Sequence, residues 1–134
     1  MQPSKVYYIN LRTDYDNPLT VKLQRLIRRA GIETIDFTDR FVAIKIHFGE
    51  PGNLSFLRPN FARAVVDVIR AKGGRPFLTD CNTLYTGRRK NALDHLDAAA
   101  ENGFSVATTG CQIIIADGLK GLDEKLVPIA GGKY

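Results

Sequence analysis

The sequence predicts an α/β domain built on a mainly parallel sheet. Segments rich in β-branched and aromatic residues alternate along the chain with amphipathic helical segments, an order that favours parallel strands joined by right-handed crossovers. The 134 residues are 44% apolar, which suits one domain with its own core. We therefore expect a three-layer-like fold over residues 1–134, with four to five strands and three main helices.

The first strand and helix are predicted near the amino terminus. Lys5–Leu11 is a run of β-branched and aromatic residues, typical of a strand. A helix is expected after Asn17 and Pro18, because asparagine caps free amides and proline tolerates the first turn. Apolar residues at helical spacing then continue until Gly31, which favours a helix end.

The later elements follow the same alternation. Two more helices are predicted, one from Pro59 or Asn60 and one from Asn91, whose side chain would cap its first turn. The tail after Asp123 contains a fifth strand candidate that Pro128 weakens. The other strands are predicted at Phe41–Phe48, Pro76–Thr79 and Cys111–Gly118.

The composition restricts the classes of partner. A formal charge of +5 favours association with anions. The basic face of the first helix lacks the interleaved aromatic residues that stack on bases, so nucleic acid is a disfavoured alternative. The sequence has no apolar stretch of membrane-spanning length and no signal-peptide pattern, and we expect a cytoplasmic protein without membrane contact.

The second predicted strand carries an unusual pair of polar residues. Alternation places Lys45 and His47 on the face opposite Ile44 and Ile46, whereas a strand buried between two helical layers is apolar on both faces. The pair predicts a site at the carboxyl end of the strand, where Glu50 on the following loop would join it. The alternative is an edge strand whose second face meets solvent.

A second polar set follows the third predicted strand. Asp80 and Asn82 leave the strand end, Tyr85 follows, and Arg88 and Arg89 precede the third helix. Paired guanidinium groups near a helix amino terminus suit a carboxylate or phosphate. The alternative is ordinary turn chemistry with solvated arginines.

The remaining candidate residues are ambiguous in the sequence. Asp117 ends the fourth predicted strand and would be either a turn residue or a further wall of the same crevice. His95 lies beside an apolar helical face and is interpreted as structural. Cys81 and Cys111 are interpreted as buried reduced thiols, with a thiolate at Cys81 as the alternative. No metal site is supported by the spacing of potential ligands.

Three segments resemble one protein family. They are VAIKIHFGEPGNLSFLRP, GGRPFLTDCNTLYTGRRKNALDHLDAAAENGF and IIIADGLKG, and they are similar to the opening portion of the iron-sulfur-associated proteins of domain of unknown function 362. The resemblance implies a longer protein with [4Fe-4S] clusters in other members. Two cysteines cannot supply the four thiolates of such a cluster, so none is expected in this chain.

The functional expectation is an α/β module that binds an anionic small molecule, with a redox role in the longer family proteins. In that interpretation the catalytic candidates are Lys45, His47 and Asp80. Arg88 and Arg89 neutralise the anion, His47 transfers a proton, and Asp80 or Glu50 orients it or holds a metal. The chain is expected to be the amino-terminal part of a longer protein, the alternative being a short relative that kept the fold and lost the electron-transfer module. It is expected to self-associate if its sheet is incomplete. A nucleic-acid module and a structural or interaction domain are the alternatives, and whether the chain is an enzyme stays undecided.

Overall fold

The computed structural model describes residues 3–131 as an α/β domain. Its four α-helices are α1 (Leu19–Arg29), α2 (Pro59–Ala71), α3 (Ala92–Glu101) and α4 (Val106–Thr109). Its three strands are β1 (Phe41–Lys45), β2 (Arg75–Asp80) and β3 (Gln112–Ile115), and a short 3-10 helix covers Ile32–Thr34. The α/β class and the positions of the three main helices therefore agree with the sequence prediction.

The sheet is parallel, with the order β1-β2-β3. Phe41 pairs with Arg75 and Lys45 with Thr79, while Phe77 pairs with Gln112. This order leaves one edge of β1 without a neighbour among the described residues. Because the strands are parallel, the loops that follow all three emerge at the same edge, which we call the carboxyl edge.

The helices cover one face of the sheet. One cluster of buried residues joins α2 and α3 to Leu78 of β2 and Ile115 of β3. The opposite face leaves Phe41 73% and Ile114 48% exposed, and Ala43 is exposed as well. Over residues 3–131 the fold thus has two layers, and the three-layer expectation is wrong for this part of the chain.

The number of strands is smaller than the sequence predicts. Lys5–Leu11 is irregular and makes no backbone-to-backbone hydrogen bond with another described residue, so this strand-forming segment is unpaired in this arrangement. The predicted tail strand is also absent from residues 124–131, and its last three positions lie outside the described residues. The strands predicted at Phe41–Phe48 and Cys111–Gly118 are shorter than expected.

Helix starts show where local capping rules hold. Asn91 caps α3, since its side chain accepts hydrogen bonds from the amides of Leu93 and Asp94. The expected cap at Asn17 is wrong: its side-chain amide donates to Asp14 and its oxygen accepts from Arg25. α1 instead begins after Pro18 without a side-chain cap.

Within residues 3–131, no helix combines the length and the apolar composition that crossing a bilayer requires.

Candidate functional site

Polar side chains from the first two strands meet at the carboxyl edge. The Lys45 ammonium donates to Asp80 Oδ1 at 2.9 Å, joining the last residues of β1 and β2. The Lys45 side chain is 70% exposed, whereas that of Asp80 is 7% exposed. The ion pair therefore links a solvated cation to a buried carboxylate.

Arg89 connects that pair to the loop after β1. Its Nε donates to Glu50 Oε1 at 2.7 Å, its Nη2 contacts the same carboxylate and the Tyr85 hydroxyl, and its Nη1 lies 3.4 Å from Asp80 Oδ2. The Tyr85 hydroxyl donates to Glu50 at 2.7 Å. We call Lys45, Glu50, Asp80, Tyr85 and Arg89 the carboxyl-edge network.

Hydrogen bonding in the carboxyl-edge network shifts several pKa values. Arg89 and then Tyr85 donate to Glu50 and lower the pKa of its carboxyl group. The bond with Glu50 raises the pKa of Tyr85. Burial acts to lower the pKa of Arg89, but its bond and charge interaction with Glu50 outweigh burial and raise it. Within the network, charged Arg89 and Glu50 therefore lie beside a neutral Tyr85.

His95 lies beneath the network, fully buried. Its Nε2 is 3.8 Å from Asp80 Oδ2, and neither ring nitrogen has a hydrogen-bond partner among the described residues. Burial lowers the pKa of His95, although the Asp80 carboxylate opposes this effect. The ring packs edge-on against Phe48. The neutral imidazole therefore contacts the apolar core and also lies next to Asp80 of the polar network.

His47 lies at the start of the loop that follows β1. The Gly49 amide donates to His47 Nδ1 at 2.9 Å, so Nδ1 carries no hydrogen in this arrangement and Nε2 carries it. His47 is exposed, so its ring is accessible to solvent. The loop therefore orients this imidazole without burying it.

Gly49 fixes the path of this loop against the core. Its φ is +89°, and a Cβ there would lie 2.5 Å from Asn102 Nδ2 and 2.8 Å from Phe56 Cδ1. The Asn102 amide is itself held by a 2.9 Å bond to the Phe48 carbonyl. Positive φ and close packing both require glycine at this position.

A shallow cleft of about 290 Å³ lies between this loop and Tyr85. Its polar groups come from His47, Glu50, Asn53, Ser55 and Tyr85, and its apolar wall is Ile46, Phe56 and Leu57. Lys45 is not part of the lining and is linked to the cleft through Asp80, Arg89 and Glu50. The cleft thus combines donors that can bind a polar group with an apolar wall beside them.

Asn82 and Asp117 form a second polar pair at the same edge. The Asn82 amide donates to both Asp117 oxygens at 3.0 Å, and its side-chain nitrogen donates to Asp117 and to the Gly118 carbonyl. The pair borders a separate groove of about 360 Å³ with Cys81 and Lys120. Both residues therefore tie the loops after β2 and β3 together, on the far side of the Lys45 and Asp80 pair.

Arg88 is a predicted site residue that the structure places away from the network, from the cleft and from the Asn82 and Asp117 pair. It is exposed and pairs with Glu101, which raises its pKa. The neighbouring Arg89 is buried and bonded to Glu50, Tyr85 and Asp80. The sequence assigned one role to both arginines, and the structure gives them different partners.

The two cysteines do not form a cluster-binding set. Cys81 follows β2 at the carboxyl edge and is exposed, while Cys111 precedes β3 at the opposite edge and is buried. The interpretation of Cys81 as a buried thiol is wrong. Within residues 3–131, no group of three or more histidine, cysteine or acidic side chains is arranged to hold a metal ion. The residues present do not fit a [4Fe-4S] cluster, which needs four thiolates.

The polar face of β1 has features of both interpretations from the sequence, a ligand site and an edge strand that meets solvent. β1 is an edge strand, and Ala43, Lys45 and His47 are exposed. Lys45 is also paired with Asp80, and His47 shares a cleft with Glu50 and Tyr85. Sequence reasoning missed His95 as a neighbour of Asp80. Its flanking leucines suggested a structural residue, and only tertiary packing brings it to the strand end.

Fold and site together define an α/β domain with a parallel sheet and a polar network at the strand carboxyl ends. The family model described as domain of unknown function (DUF362) matches residues 42–134, and the chain belongs to this family. The match begins at Val42 in β1 and includes every residue of the carboxyl-edge network. Neither a curated protein nor a solved structure matches the chain.

Proposed function

We propose that this domain binds a small anionic molecule in the cleft beside the carboxyl-edge network. The observation that carries the proposal is the convergence of Lys45, Glu50, Asp80, Tyr85 and Arg89 at one strand edge, next to His47. Ligands of open α/β sheets bind outside the carboxyl ends of the strands. The cleft lies at that position.

The charge pattern assigns different roles to the cations. Arg89 already compensates Glu50 and Asp80, so its role is to keep both carboxylates fixed and neutralised. His47 Nε2–H, the Asn53 amide and the Ser55 hydroxyl are the donors that a ligand in the cleft would meet. Lys45 adds positive charge at the adjacent strand end, where its ammonium is solvated.

The proposal differs from the expectation that Arg88 and Arg89 bind the anion directly. Arg88 is paired with Glu101 outside the cleft, and Arg89 is bonded to Glu50, Tyr85 and Asp80 and does not line the cleft. The two cysteines lie at opposite edges of the sheet, so the proposed binding involves no dithiol or cluster formed by them.

The ion pairs of the surface argue against the nucleic-acid alternative. Four exposed arginines are each paired with a carboxylate, which reduces the free positive charge that a phosphate backbone would bind. They are Arg28, Arg40, Arg63 and Arg88, with Glu33, Asp36, Asp67 and Glu101 respectively.

Titration with inorganic phosphate and with oxalate, followed by NMR amide shifts and calorimetry, tests the proposal. We expect shifts confined to the loop from His47 to Ser55, and affinity about tenfold weaker in Lys45→Met and in His47→Gln. Lys72→Met is the matched control, because it removes the same charge beyond the end of α2. The proposal is contradicted if neither anion binds, or if Lys72→Met weakens anion binding as much as Lys45→Met does.

A further inference from the structure

The amino-terminal segment Lys5–Leu11 exposes apolar side chains, and the free edge of β1 has backbone groups without partners among the described residues. Val6 and Tyr8 are 90% and 83% exposed, and on the other side of the segment Leu11 is 78% exposed. A run of this composition is typical of a strand, and its apolar side chains are costly to leave in solvent. The chain exposes 9955 Å², against about 7,000 Å² for a compact monomer of its mass.

The free edge of β1 presents unused backbone groups. The Ile46 amide donates to Thr79 and the Arg40 carbonyl accepts from Arg75, so even-numbered residues of this segment face β2. Peptide groups alternate along a strand, and those of Phe41, Ala43 and Lys45 therefore point to the free edge. Such an edge is a template for one more strand.

Lys22 already anchors the end of the amino-terminal segment. Its buried ammonium donates to the Asn10 carbonyl and side-chain oxygen, both at 2.8 Å, and to the Arg12 carbonyl. An ammonium enclosed by three oxygens is a strong tether in a partly buried setting. It holds the end of the segment against the first turn of α1.

The direction of α1 places this anchor at the carboxyl edge. The first halves of α1 and α2 share a groove, and the Gln24 amide donates to the Ala64 carbonyl. The link from α1 to β1 passes the end of α2, where the Asp39 amide donates to Gly73. α1 thus runs alongside α2, which starts at the carboxyl edge, and a strand ending at Leu11 would run parallel to β1.

Handedness selects which edge the segment would join. α2 covers the step from β1 to β2, and α1 lies beside α2 on the same face. Because parallel crossovers are almost always right-handed, the step from the segment through α1 to β1 must move in the same direction. This places the segment outside β1, at the free edge.

We propose that Lys5–Leu11 docks on the free edge of β1 in the same chain, as a fourth parallel strand. In the docked state Lys5–Leu11 pairs with β1, whereas in the structure described above the segment is unpaired. The bonds of Lys22 to Asn10 and Arg12 hold the end of the segment in both states. Docking brings the turn from Arg12 to Asn17 beside the loop that begins at His47. The inference depends on the backbone of β1 and is independent of the proposed ligand.

Amide hydrogen exchange of the full chain tests the docking. In the docked state the Ala43 and Lys45 amides are paired, and we expect them to exchange at least tenfold more slowly than solvent-exposed amides. The protection should not change with protein concentration. Two outcomes overturn the proposal: exchange at the rate of exposed amides, or protection that grows with concentration and so indicates a strand from a second copy.

Two variants separate docking from general stability. Tyr7→Pro combined with Tyr8→Pro removes donors on both sides of the segment, and should abolish protection at Ala43 and Lys45 while sparing Val42 and Ile44, which face β2. Lys22→Met should weaken the same protection by loss of the tether. Unchanged protection of Ala43 and Lys45 in the double-proline variant would show that another group covers the edge.

Discussion

The buried and the exposed parts of the carboxyl-edge network differ in what they contribute. Asp80 and Arg89 are nearly inaccessible and pair with each other, and Arg89 also donates to Glu50, whereas the Lys45 side chain is 70% exposed and makes one bond. An ion pair excluded from water is costly to break, while one in water contributes little. The buried part therefore holds the site in place, and the exposed part is available for a ligand.

The largest effect is expected from removing the carboxylate at the centre of the network. Asp80→Ala leaves Arg89 with one carboxylate and deprives Lys45 of its partner. We expect the free energy of unfolding to fall by about 3–5 kcal/mol, measured by urea denaturation. Asp97→Ala, an exposed acid on α3, is the control and should change it by less than about 0.5 kcal/mol. If both variants lose the same free energy of unfolding, Asp80 is no more important to stability than an exposed acid, which contradicts the structural role given to the buried part of the network.

An intermediate effect is expected from Glu50→Gln, which keeps the shape of the side chain and removes its charge. Loss of the charged bonds to Arg89 should cost about 1–3 kcal/mol at pH 7. Glu33→Gln, in an exposed pair with Arg28, should cost less than about 1 kcal/mol.

The same variant has a defined pH dependence. Because the folded-state pKa of Glu50 is lowered, its stabilisation is complete above the unfolded value of about 4.3 and is lost as pH falls through the folded value. The difference between the wild-type chain and Glu50→Gln should therefore shrink on acidification from pH 7 to pH 3. A difference that is constant or grows would contradict the assigned direction.

The smallest effect on stability is expected from Lys45→Met. The exposed ammonium contributes less than about 1 kcal/mol to folding, and Asp80 keeps Arg89 after the change. Urea denaturation should thus give nearly wild-type stability in a variant that binds the anion about tenfold more weakly. A loss as large as that of Asp80→Ala would show that Lys45 belongs to the structural part of the network.

The sequence predicts the helices better than the sheet. Asn91 and Pro59 act within one helical turn, and α3 and α2 begin where these residues indicate. Strand pairing depends on which segments meet in space. Lys5–Leu11 has the composition of a strand, but it is unpaired in the structure. The layer number also depends on tertiary contacts, so the uncovered face was not predicted.

The site is predicted in composition and less well in its connections. Strand alternation and direction place Lys45 near Asp80 and His47 near Glu50, because parallel strands end at one edge. The difference between Arg88 and Arg89 depends on which side chain the turn directs inward, and the sequence treats the two alike. His95 lies 15 positions from Asp80 in the chain, and only the packing of α3 brings it near.

Gly49 divides the loop after β1 into a constrained and a variable part. Position 49 admits no side chain, whereas Asn53, Ser55 and Leu57 are exposed and project beside the cleft. A combinatorial library built to change the ligand preference of this domain should keep the glycine and randomise those three positions. New specificities could then be selected on an unchanged loop backbone.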